Sequence, residues 1–197
     1  MYTTNVSFNK GNLKMKKIVI ASLIALAGSA FAASVTLEGQ DQLGDKGAKN
    51  STNYQVSVKE SISKTFAGDV GFTNYQQHQT EALSTRIEAG VTGSFPVGPV
   101  GVYTRVALGE KYNNTGNFAY YSIEPGVTYT LGKVTAKVGY RYRTAAVNPN
   151  VSNDTTDTSR FGLSYALTKK DAVGFRFDRT IGDSTNHSYN VSYTRSF

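Results

Sequence analysis

The chain has 197 residues, enough for one domain, and no cysteine, which excludes a disulfide framework and any thiolate metal site. Its formal charge of +7 does not mark a nucleic-acid binder. Lys10, Lys14, Lys16 and Lys17 lie in the first 32 residues, leaving 17 basic against 14 acidic residues, with no basic run interleaved with aromatics.

The first element is an export signal. In the segment Met15 to Ala32, Lys16 and Lys17 form a charged start and Ile18 to Ala27 a short apolar core. Ala30 and Ala32 supply the small residues of a cleavage site before Ala33. The apolar core falls short of the about 20 residues a spanning helix needs. Residues 1–14 precede it as an over-extended N-terminus, with Met15 the expected start.

From Ala33 onward apolar and polar residues alternate almost without a break, the signature of strands. Ten are expected. The first, 33–42, carries Val35 and Leu37 on one face; the second, 53–62, carries Tyr54, Val56 and Val58; the third, 66–76, is weaker, with Phe66, Val70 and Phe72. The fourth, 82–95, sets Leu83, Ile87, Ala89, Val91 and Phe95 against Ser84, Arg86, Glu88, Thr92 and Ser94. The fifth (99–109), sixth (118–131) and seventh (134–143) continue the pattern, as do the eighth (159–167), ninth (172–180) and tenth (187–197). Pro125 interrupts the sixth, where it cannot donate a ladder hydrogen bond, so a bulge or local distortion is expected there. Eight strands is the alternative count, if the third merges into a loop.

Connections alternate in length. Those at 43–52, 77–81, 110–117, 144–158 and 181–186 are long and polar; those at 63–65, 96–99, 132–133 and 168–171 are short. Gly132-Lys133 suits a two-residue hairpin turn. Such alternation puts the long loops at one end of the sheet and the tight turns at the other. Two belts of aromatics are expected: Tyr54, Tyr75, Tyr121, Tyr140, Tyr142, Phe161 and Tyr189 near the long loops, and Phe66, Phe95, Tyr129, Tyr165 and Phe197 near the short turns. Apolar-out, polar-in strands with an aromatic girdle at each end are the pattern of a membrane barrel. Glu60, Arg179 and Arg195 have the lipid-facing parity, but close to strand ends, where such charges cost about 0–1 kcal/mol.

Residues 33–197 resemble the bacterial outer-membrane β-barrel proteins, in particular the small porin-like class. The resemblance implies an all-β, closed, antiparallel up-and-down barrel, an outer-membrane location, and outer-membrane lipid and lipopolysaccharide as surroundings. It also implies that the tail is read by the barrel assembly machinery: Tyr189, Val191, Tyr193 and Phe197 match such a signal, whereas Arg195 stands where an apolar residue is usual. Closure is a physical requirement, because an open sheet edge in lipid leaves backbone groups unpaired.

The interior parity carries Lys59, Arg86, Arg105, Lys137, Arg141, Arg143, Arg160 and Arg176, opposed by Glu38, Glu88, Glu124 and Asp178. Two readings stay open. The excess could line a narrow pore for small solutes with a preference for anions, or the charges could fill a non-conducting barrel that presents loops 43–52, 110–117 and 144–158 for surface interaction. Hairpin geometry about Gly132-Lys133 sets Glu124 opposite Arg141 and predicts an ion pair between them. Arg105 is expected level with Glu88 or two residues away, and Asp178 level with or diagonal to Arg160. No catalytic set is read from the sequence. His78 and His187 are expected as exposed loop residues, the latter with Asp183 and Ser184 nearby but no hydrolase motif. Asp154 and Asp157 fall far short of the six to eight oxygens of a calcium site. Neither a metal nor a cofactor is expected.

Overall fold

The two-residue alternation is realised as ten antiparallel strands closed into a single barrel. The structure, a computed structural model, describes residues 33–44, 49–78, 83–113, 116–147 and 155–197. The strands are β1 (Ser34–Gly44), β2 (Lys49–Ser61), β3 (Phe66–Gln77), β4 (Leu83–Val97), β5 (Val100–Asn113), β6 (Gly116–Leu131), β7 (Val134–Ala145), β8 (Thr156–Ala166), β9 (Asp171–Ile181) and β10 (Thr185–Ser196). Each pairs with its neighbours in sequence, and β10 returns to pair with β1 over eleven residue pairs, from Ser34 opposite Ser196 to Gly44 opposite Asn186. The amide of Phe197 donates to the carbonyl of Ala33 at 3.1 Å, so closure reaches the end of β10. The eight-stranded alternative is thereby excluded. The export segment, with Ala30 and Ala32, lies outside the described residues, as does Asp154.

Several strands run further toward the long-loop end than their apolar alternation suggests. β2 begins at Lys49, β5 continues to Asn113, β6 begins at Gly116, and β8 begins at Thr156. The expected long connection at 110–117 is therefore mostly paired strand, with only residues 114–115 between β5 and β6. The reason is physical: the apolar stripe stops where lipid would stop, while the backbone ladder continues into polar surroundings. At the other end the turns are tight. Gly98 and Gly132 take positive φ, 62° and 59°, a region open to glycine at little steric cost.

Pro125 interrupts the ladder without shifting it. Pairing of β6 with β7 stops after Ile123 opposite Tyr142 and resumes at Gly126 opposite Gly139, in the same register. On its other side Pro125 pairs normally with Thr104. The register slip that does occur is in β1–β2, between Gln42 and Leu43.

Burial is inverted relative to a water-soluble sheet. Large apolar side chains stand exposed around the outer wall, among them Leu108 at 67%, Leu131 at 69% and Val191 at 66%. The buried polar set includes Glu88, Glu124, Arg141, Arg143, Asp178 and Asn190. Water would strongly disfavour an apolar surface of this extent; the hydrocarbon core of a bilayer does not, and the closed ladder leaves no backbone edge in it. Of the expected belt residues Tyr75 is the exception. It has the opposite parity to Phe72 and Val70 and turns inward, where the Arg86 guanidinium and the Lys111 ammonium lie 5.5 and 5.9 Å from its ring centre.

Candidate functional site

The barrel wall turns alternate side chains inward, where they meet those of neighbouring and next-but-one strands. Two cavities lie between them among the described residues. The larger, about 470 Å³, occupies the short-turn half, where Lys59, Arg105, Glu124 and Lys137 are among its lining residues. The smaller, about 120 Å³, lies toward the long loops and is lined by residues including Tyr75, Lys111, Arg143 and Thr156. Gln55, Arg86, Arg141, Arg160 and Arg176 border both, so a layer rich in guanidinium groups separates them.

Five carboxylates hold Arg105, Lys137, Arg160 and Arg176 in two networks. In the first, Arg105 bridges Asp69, at 2.5 Å from Nη2, and Glu88, at 2.6 Å from Nη1. The other oxygen of Glu88 accepts the Tyr120 hydroxyl at 2.7 Å. In the second, the buried Glu124 binds Arg160 through one oxygen, and Lys137 at 3.4 Å and the Tyr103 hydroxyl at 3.1 Å through the other. Arg160 also lies 3.7 Å from Asp178. Asp178 accepts from Arg176 Nε at 3.0 Å, and the two terminal nitrogens of Arg176 fork onto Glu38, both at 2.9 Å. Forked guanidinium–carboxylate bonds of this kind fix geometry as well as charge.

Two inward tyrosines brace these networks against glycines. The Tyr103 hydroxyl occupies the space that a Cβ on Gly126 or Gly139 would need, and the Tyr120 hydroxyl does the same at Gly109. Only a residue with no side chain lets the rings lie this close to the wall. Each ring then delivers its hydroxyl to a lumen glutamate.

The chain matches no protein-family model and no curated protein. Solved structures share its architecture. The NanC porin superposes with a TM-score of 0.54 at 10% identity, over 82% of this chain and 98% of that one. An outer-membrane channel from Pseudomonas putida F1 does so with a TM-score of 0.50 at 9% identity, over 85% and 96%. The fold is that of the bacterial outer-membrane β-barrels.

In this outer-membrane barrel all eight basic residues read as inward border one or both cavities. Their partners differ from those expected. Glu124 does lie level with Arg141 by the register, but the two make no ion pair; Glu124 reaches Arg160 and Lys137 instead. Arg160 is level with Asp178, within the expected range. Arg105 is level with Thr92, four residues along β4 from Glu88, and bridges that distance with its long side chain. Sequence reasoning passed over Asp69 and Lys111. Asp69 sits in the weakly patterned β3, and Lys111 lies beyond the expected end of β5, yet continuing the parity of Arg105 would have found it.

The remaining candidates lie apart from the cavities. Tyr189, Val191, Tyr193 and Phe197 all stand exposed on the outer face. At the rim below them, Arg195 lies 3.5 Å from Asp171, which also accepts the Tyr193 hydroxyl at 2.6 Å. His187 stacks on Phe177 with ring centres 5.9 Å apart, and His78 meets the Thr52 hydroxyl at 2.9 Å. Asp157 accepts the Tyr140 hydroxyl. Among the described residues no three His, Asp or Glu side chains gather in a way that could hold a metal ion.

Proposed function

We propose that the barrel is a narrow porin-like protein of the outer membrane that allows passive movement of small anionic solutes. One observation carries the reading: the interior places nine basic side chains against five acidic ones along two adjoining cavities. A positive excess in a low-dielectric channel concentrates anions and repels cations. The solved porin and channel that share the fold support passage as the activity. The aromatic belts suit contact with outer-membrane lipid and lipopolysaccharide, and the exposed stripe from Tyr189 to Phe197 suits recognition by the barrel assembly machinery.

A second reading has its own observation. The guanidinium-rich layer between the cavities, held by Glu38, Glu124 and Asp178, suits a filled, non-conducting barrel whose loops meet other molecules. Current through a planar bilayer containing the refolded protein separates the two. The pore reading expects discrete conductance steps and, under a salt gradient, a reversal potential on the anion side. Silence across voltages, with the protein demonstrably folded in the bilayer, rejects the pore and leaves the filled barrel.

A further inference from the structure

The loop-side cavity holds more positive charge than its carboxylates balance. Arg160 and Arg176 are matched, by Asp178, Glu124 and Glu38. Arg86, Lys111 and Arg141 border the same cavity, and among the described residues none of the three has a carboxylate within 4 Å. Arg86 donates to the Thr73 hydroxyl at 3.2 Å and, with Lys111, faces the Tyr75 ring. Arg141 has less. It is 7% exposed, and among the described residues its buried Nε has no hydrogen-bond partner. The Thr156 hydroxyl, 3% exposed and lining the same space, is likewise without one among the described residues.

Gathered buried cations repel one another, and a buried polar group left unmatched is costly. An anion in their midst answers both. Guanidinium forks match the oxygens of phosphate and carboxylate groups better than they match a single spherical ion. The cavity volume of about 120 Å³ suits a compact occupant. A tetrahedral oxyanion presents oxygens in several directions at once, as cations placed on separate strands require.

We propose that the loop-side cavity binds a compact soluble oxyanion, with inorganic phosphate as its type, through Arg86, Lys111 and Arg141 and the Thr156 hydroxyl. This deepens the pore reading and rests on it for the ion's access. The test is titration of the refolded protein with inorganic phosphate in phospholipid-free detergent, against chloride at equal ionic strength. Calorimetry and unfolding temperature are the readouts. Saturable binding near one ion per barrel is expected, with a rise in unfolding temperature that chloride does not give. Arg141→Gln and Lys111→Gln should each weaken binding roughly tenfold or more, the loss expected for a charge-assisted hydrogen bond. Without phosphate, Arg141→Gln should unfold no earlier than the parent, so that lost binding is not lost folding. Absence of saturable binding in the folded barrel, or binding unchanged in both variants, overturns the site. Stabilisation that appears only on adding phosphatidylglycerol assigns the cations to a lipid headgroup and overturns the soluble ion. A barrel that conducts without binding phosphate loses the site and keeps the pore. One that binds phosphate without conducting keeps the site and loses the pore.

Discussion

Glu124 is the residue on which the second network turns. It is 2% exposed and accepts from Arg160, Lys137 and Tyr103 together. Replacing it by Gln keeps the shape and removes the charge, leaving Arg160 with Asp178 alone. Breaking a buried pair from one side costs about 3–5 kcal/mol, whereas removing both partners costs less. Glu124→Gln should therefore lower stability by about that amount, and Glu124→Gln with Arg160→Gln should recover part of it. Urea unfolding in detergent micelles measures both; a double variant less stable than the single one would mean that the Glu124–Arg160 pair is not what holds the site. The sequence made the inward parity of Glu124 readable but not its partner. Strand register places Cα atoms, whereas Arg and Glu side chains are long enough to skip the residue opposite and find a better match further along or one strand beyond. Tyr103 and Tyr120 were missed for a different reason. An aromatic in a membrane strand reads first as a belt residue, and only the glycines facing these two make room for an inward ring.

At the scale of the strand, alternation was the dependable signal, and ten strands followed from it. The ends were harder to read because pairing outlasts the apolar stripe. β5 is the plainest case: Leu108 is its last large aliphatic residue, yet the ladder continues to Asn113 and carries Lys111 into the cavity lining. Pro125 offers a test of the ladder itself. The two-residue turn at Gly132-Lys133 and the bond from the Thr130 amide to the Pro99 carbonyl direct even-numbered β6 amides toward β5 and odd-numbered ones toward β7. Position 125 would thus donate to Tyr140 if it had a proton. Pro125→Ala should fill the gap and stabilise the barrel by about 0.5–1.5 kcal/mol, the net worth of one hydrogen bond. The check is hydrogen exchange, in which the new amide should be protected to the level of its neighbours. An amide at 125 that exchanges as fast as an unpaired one would refute this account of the interruption.

For the molecule as a whole, closure by β1 and β10 and the inversion of apolar and charged residues together define a cylinder that suits a bilayer outside and ions inside. Its bore is not uniform. Arg86, Arg141, Arg160 and Arg176 border both cavities, so the groups that line one also belong to the other. Under the proposed pore function, passage would be a transfer between neighbouring sites and not free diffusion along a wide bore. Throughput of such a conduit is limited by how fast an occupied site empties. Phosphate current should consequently level off with rising concentration along a hyperbola, while chloride current, lacking the multiple oxygen contacts, should keep climbing over the same range. Concentration series recorded at fixed voltage distinguish the two shapes; equal, linear rises for both ions would mean that the arginine layer does not delay what crosses it.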